Sequence, residues 1–248
     1  MDRNDSAVRW LLESEEPSVR QMTLTDVLGE ATGSPEVRKA QDQIPNGPHV
    51  RALVKGQRAD GGFGVHPYQK WTGAHSRLVS LVELGFPTRE PRALKAINQV
   101  LRWLIGDAQR RGIRKMNGLT RRCASQEGNA LAVCSRLGAT DDERVTQLAR
   151  SLSEWQWPDG GWNCDKDKRA DHSSFYESLA PLWGLLEYHR ATGDRDALET
   201  ARRASEFFLS HRLFRSDKTG ERVTIGDRLA DEDLVWRLWT GDATDRTR

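Results

Sequence analysis

The chain has 248 residues and a formal net charge of +2, so acids and bases nearly cancel and no broad basic field points to nucleic acid or an anionic membrane. No run of eighteen apolar residues occurs, and the opening MDRNDSAVRW has no apolar core, so the expectation is a cytoplasmic protein without a transmembrane segment. Three cysteines, an odd number in a chain this long, read as reduced thiols rather than a disulfide framework, which leaves them available to a metal.

The predicted elements are helical from end to end. Ser6 to Glu13 is a short helix, and Pro17 opens another that runs through Val19, Met22, Leu24 and Val27 to a stop at Gly29. Pro35 to Gln43 is a short amphipathic helix, followed by a break with two prolines, Pro45 and Pro48. Pro48 to Gln57 reads as an outer helix, and about Gly73 to Leu84 as an inner one that Gly85 ends. Pro91 starts the next outer helix, with Leu94, Ile97, Val100, Leu101 and Leu104 at helical spacing.

The stretch from Arg110 to Arg122 is expected to be a loop. Its Arg110, Arg111, Arg114, Lys115, Arg121 and Arg122 read most simply as solvated charge, with a clamp for phosphate or carboxylate as the functional alternative. A further inner helix runs from Gln126 to Gly138, an outer one from Glu143 to Trp155, an inner one from Ser173 to Tyr188 and an outer one from Arg195 to His211. Ser173 and Ser174 supply hydroxyls suited to capping the first turn of their helix.

Two of the turns match. Gln57-Arg58-Ala59-Asp60-Gly61-Gly62-Phe63 and Gln156-Trp157-Pro158-Asp159-Gly160-Gly161-Trp162 share glutamine, acid, two glycines and an aromatic in the same order. Each is followed by a loop, a histidine (His75, His172) and a helix, which is the pattern of a repeat architecture. Asp159, Gly160 and Gly161 are therefore expected to be structural.

At these residues the chain resembles the repeats of protein prenyltransferase beta subunits and squalene-hopene cyclases, over roughly residues 48 to 215. The resemblance implies an all-α fold, an α/α-toroid of inner and outer helices. It also implies that Gln57, Phe63, Gln156 and Trp162 tie neighbouring repeats together. One domain of about five hairpins fits the length, at roughly 45 residues for each pair of helices. The segment 215–248 is atypical, with an apolar stretch at Leu234, Val235, Trp236, Leu238 and Trp239 but no further Asp-Gly-Gly turn. That points to an incompletely closed ring with apolar edges, favouring a homo-oligomer or a ring-completing partner.

In such a ring the residues just ahead of each inner helix gather at one end. The candidates lining that end are Trp71, His75, Gln126, Glu127, Asn129 and Tyr176. Cys123, Cys164 and His172 make a borderline-soft donor set suited to Zn²⁺. The resemblance adds to this, since prenyltransferase beta subunits bind catalytic zinc with one Asp, one Cys and one His, although their D-x-C spacing is absent here. The plainer reading makes the two thiols small half-buried residues and His172 a hydrogen-bond donor at a helix start. Cys134, within a helix, is expected in the core.

The acid motif D-x-D-D of the cyclases is missing, and Asp165-Lys166-Asp167-Lys168 and Asp231-Glu232-Asp233-Leu234 read as solvated charge. Two functions remain open. One is a prenyltransferase-like or cyclase-like protein, an enzyme of transferase or cyclase type, that takes an isoprenoid or other hydrophobic small molecule in a central cavity. The other is a noncatalytic helical-repeat scaffold for a peptide or protein partner.

Overall fold

The structure is a computed structural model and describes residues 3, 5–213, 215, 220 and 221. The chain divides into two compact units, Met1–Ser205 and Glu206–Arg248. The apolar stretch around Trp236 and the acidic run at Asp231 lie outside the described residues, as does the question of how the array ends.

The described residues are mostly helical. The helices are α1 (Ser6–Leu12), α2 (Pro17–Met22), α3 (Pro35–Gln43), α4 (Pro48–Val54), α5 (Ala74–Glu83) and α6 (Pro91–Leu104). They continue with α7 (Asp107–Arg111), α8 (Ser125–Arg136), α9 (Glu143–Trp155), α10 (Phe175–Thr192) and α11 (Arg195–Ser210). Prolines open α2, α3, α4 and α6, where the missing N–H costs nothing. The segment expected as one helix from Pro17 to Gly29 changes its hydrogen bonding instead of ending, becoming a π-helical turn over Thr23–Val27. The helix expected to reach Gln57 stops at Val54, because Lys55 is extended and Gly56 sits at φ +78°.

The most extensive packing is between α8 and α10; α8 also packs on α5, α6 and α9, and α5 packs on α6 and α4. Central placement explains why α8 is buried on nearly all sides, from Glu127 and Gly128 to Cys134 and Ser135. One continuous core joins these helices through Leu78, Leu81, Ile97, Leu101, Leu131, Leu148 and Leu152. A smaller cluster of Leu24, Val37 and Ala40 lies under the N-terminal helices. Cys134 is in the main core as expected, and burial pushes its thiol up to about 12.

The backbones of α8 and α10 cross in close contact. A Cβ placed on Gly184 would lie 2.3 Å from the Gly128 carbonyl oxygen, and one on Gly128 would lie 2.3 Å from the Pro181 nitrogen. No side chain fits between the two backbones, so both positions require glycine.

The two Asp-Gly-Gly turns repeat bond for bond. The Gly61 and Gly160 amides donate to the Arg58 and Trp157 carbonyls, and the Gly62 and Gly161 carbonyls accept from the Arg58 and Trp157 amides. Gly61 and Gly160 sit at φ +88° and +97°, conformations that side chains resist. Gln57 Nε2 donates to the Gly61 carbonyl (3.2 Å) and to the Arg92 carbonyl in the first turn of α6 (2.8 Å). Gln156 Nε2 donates likewise to Gly160 (2.8 Å) and to Thr200 of α11 (2.9 Å). Each glutamine thus closes its own turn and fastens the following outer helix, and Trp162, buried, donates its indole N–H to the Leu152 carbonyl. Gln156→Ala removes both bonds, together with the one that Gln156 Oε1 accepts from Arg203 (2.6 Å), and is expected to lower stability by about 2 kcal/mol, read by urea denaturation. A cost indistinguishable from zero would deny the fastening role.

The stretch from Arg110 to Arg122 is not a plain loop. After α7 it forms an antiparallel pair, β1 (Arg114–Met116) and β2 (Leu119–Arg121). The turn between them is Asn117-Gly118, with φ +52° and +79°. Asn-Gly is the strongest short-range signal for such a two-residue hairpin, and it was legible in the sequence.

Candidate functional site

The hairpin decides what meets what at the start of α8. Trp157 of the second turn donates its indole N–H to the Thr120 carbonyl (2.8 Å), and the Arg121 guanidinium lies 4.5 Å over the Trp157 ring. Arg121 also forms a parallel bridge with Asn163, and the Arg122 amide donates to the Asn163 carbonyl at 3.1 Å. This short backbone register sets Cys123 and Cys164, each one residue further on, side by side.

Glu177 completes the group from the first turn of α10. Its Oε2 accepts from the Ser125 amide at the start of α8 (3.0 Å), and its Oε1 accepts from the Cys164 thiol (3.5 Å). One ligand atom each of Cys123, Cys164 and Glu177 lies within 4.8 Å of the others, and all three residues are half-buried. Burial pushes the Cys123 thiol up, with the Glu177 charge adding to the rise and Arg122 opposing it. Burial is also the main reason the Cys164 thiol is raised, reinforced by Cys123 and Glu177.

His172 stands apart from this group. Its Nδ1 pairs with Asp171 Oδ1 at 3.0 Å and its side chain is largely exposed. Of the expected set Cys123, Cys164 and His172, the structure brings the two cysteines together and leaves His172 outside the group, because the loop from Cys164 to His172 runs out over solvent before the chain returns to α10. Glu177 escaped sequence reading because it falls inside a helix, where a glutamate looks like surface charge. Ser173 and Ser174 do not cap α10 with their hydroxyls: Ser173 Oγ donates to Asp159 Oδ1 at 2.5 Å and its amide donates to Asp159 Oδ2 at 2.7 Å. The acid of the second turn therefore anchors the entry to α10.

Next to the thiols lies a buried ion pair. Arg122 Nε donates to Glu127 Oε1 at 2.8 Å, its Nη2 reaches the same oxygen, and the Glu127 Oε2 has no partner. Burial holds the Glu127 carboxyl above the usual carboxylate range against the pull of Arg122. Arg121 is buried too, giving one bond to the Ala170 carbonyl (2.7 Å) while its Nε and Nη1 have none. These two arginines are packed rather than solvated, whereas Arg110, Arg111, Arg114 and Lys115 are exposed as expected.

His75, at the start of α5, is buried and its Nε2 lies 3.0 Å from the Gln126 carbonyl, so burial lowers its pKa. Its ring meets Tyr68 (5.2 Å) and Trp103 (6.2 Å) edge to face, and Tyr68 stacks on Trp103 at 5.2 Å. The Gln126 carboxamide lies 3.3 Å from both Gln109 and Arg122, and Asn129 is half-buried on α8. Trp71, at φ +66°, and Tyr176 are exposed, at 77% and 55%. The starts of α5, α8 and α10 are therefore joined in series, by His75 to Gln126 and by Glu177 to Ser125.

The described surface carries depressions whose linings are mixed. One of about 270 Å³ is lined by Arg58, Asp60, Phe63, His66 and Gln99 among others, and one of about 280 Å³ by Gln21, Gln41, Val82, Phe86 and Arg136 among others. Both linings mix charge with apolar surface. No helix among the described residues is long and apolar enough to cross a membrane. In comparisons with known proteins, no family model, curated protein or solved structure matches this chain.

Proposed function

We propose that this chain is a helical-hairpin repeat protein of the α/α-toroid type, similar to prenyltransferases and squalene-hopene cyclases, which receives an isoprenoid or similar hydrophobic molecule where α5, α8 and α10 begin. The observation that carries this reading is the series of hydrogen bonds joining those three helix starts, His75 to Gln126 and Ser125 to Glu177. The matched turns support it, since each uses its glutamine to fasten the next outer helix. Exposed apolar side chains at or near those starts, Trp71, Tyr176 and Leu179, give a hydrophobic molecule something to cover. The cyclase acid motif is absent from the sequence, so alkene protonation by D-x-D-D is not part of the proposal.

Titration of the full chain with farnesol, followed by tryptophan fluorescence, tests this. Saturable one-to-one binding that weakens about tenfold in Tyr176→Ala supports the reading, a loss of about 1.4 kcal/mol. The absence of saturation, with the fold intact by circular dichroism, would defeat it. A second reading has its own support: the depressions have linings that mix charged and apolar side chains, which suits a scaffold that holds a peptide or partner chain. Failure of every hydrophobic probe would favour that scaffold.

A further inference from the structure

We infer that Cys123, Cys164 and Glu177 form a zinc site with three protein ligands and an open fourth position. The inference stands apart from the hydrophobic-ligand reading, because it needs only the two thiols and the carboxylate.

Three independent pieces of local structure build the site. The backbone pairing of Arg121 and Arg122 with Asn163 brings the two cysteine-bearing segments alongside each other. The α8 amide of Ser125 holds Glu177 by one oxygen and leaves the other facing Cys164. Hydrogen bonding of a ligand carboxylate from outside the metal shell is how such groups are oriented. The close crossing at Gly128 and Gly184 then locks α8 to α10, so Ser125 and Glu177 cannot drift apart.

The donor chemistry selects the ion. Two thiolates exclude Mg²⁺ and Ca²⁺, which take oxygen ligands, and favour a borderline-soft ion that accepts a mixture of sulfur and carboxylate. Ligand atoms mutually within 4.8 Å can each contract onto an ion at the ~2.0 to 2.3 Å bond lengths of zinc by small side-chain rotations. Binding would release the two thiol protons to solvent, leaving two thiolates and one carboxylate around a dication, one negative charge in all. Three ligands rather than four are the pattern of sites that keep a position for water or substrate.

The test uses the full chain, purified without an affinity tag and under reductant. Zinc content is measured directly, and the zinc is then exchanged for cobalt to read thiolate ligation from the sulfur-to-cobalt absorption. One equivalent of zinc, with an absorption of two-thiolate strength, is expected. Cys123→Ser and Cys164→Ser should each weaken zinc binding more than about 100-fold, above the range for losing only an outer partner. His172→Ala should leave affinity unchanged. Protein that takes up no zinc, a cobalt form without sulfur absorption, or a His172→Ala variant as impaired as the cysteine variants would overturn the site. Because the cobalt spectrum is read on the unaltered chain, a cysteine variant that fails to fold does not decide the matter. Farnesol binding with no metal, or metal with no farnesol binding, separates this inference from the preceding one.

Discussion

Arg122→Ala is expected to destabilise the fold by about 3 to 5 kcal/mol at neutral pH, the range for removing one partner of a buried ion pair. The guanidinium makes two bonds to Glu127 Oε1, and both side chains are nearly inaccessible to water. Without it, the fold must either bury a bare carboxylate or keep Glu127 protonated. Burial already raises this carboxyl above its ordinary value with Arg122 present, and losing the arginine raises it further.

The pH dependence follows from the sign of that shift. The folded state then holds a proton that the unfolded chain releases above about pH 4.3. Folded stability therefore falls as pH rises above that value, by up to about 1.4 kcal/mol per pH unit, until the folded carboxyl itself ionises. Urea denaturation at intervals from acid to neutral pH should show a cost for Arg122→Ala that is smallest at acid pH and grows once the pH passes the raised value of Glu127 in the parent fold, where the parent's carboxyl ionises and the variant's does not. A cost independent of pH would mean that the pair is not the cause. The double variant Arg122→Met with Glu127→Leu should recover much of the loss, since replacing both ions by apolar groups removes the uncompensated charge.

The second large effect is expected at the α8 and α10 crossing. Gly184→Val would force a branched side chain into space where even a Cβ meets the Gly128 carbonyl at 2.3 Å. The helices must separate or bend, and overpacking of this kind costs about 3 kcal/mol or more. For a chain of this length that lowers the melting temperature by roughly 6 to 12 °C. Gly33→Ala is the control: its Cβ would meet only the flexible end of Arg38, at 3.4 Å, and should change little. Equal melting temperatures for the two variants would show that the backbones are not in contact. Separation of α8 from α10 should also carry Glu177 away from Ser125, so Gly184→Val is expected to impair zinc binding as well.

Helix positions were legible because apolar spacing and the breakers between helices are local signals. Glu143 to Trp155 matches its helix at both ends, and the prolines at 17, 35, 48 and 91 mark true starts. Chain order also exposed the repeated turn, since identical hydrogen bonding needs the same glutamine, acid and glycines at the same spacing. The equivalence of Gln57 and Gln156 followed from that alone. What failed to show were features that depend on two distant segments at once. Gly128 and Gly184 look like ordinary helix weakeners until the partner backbone fills the gap. Arg121 and Arg122 look like two of six loop charges until the Asn-Gly hairpin turns one onto Trp157 and the other onto Glu127.

The third member of the cysteine group shows the same division. Sequence reasoning placed Cys123 and Cys164 at one end of the helices, and the structure brings them together there. His172 is the third donor expected from the sequence because it, too, lies just ahead of a helix, in the same loop as Cys164. Only the tertiary structure supplies Glu177 instead, because side-chain direction within the first turn of α10 and the free amide of Ser125 decide which group faces the thiols. Local propensity fixes where helices begin and end, whereas the chemistry between them is set by contacts that no single stretch of sequence contains.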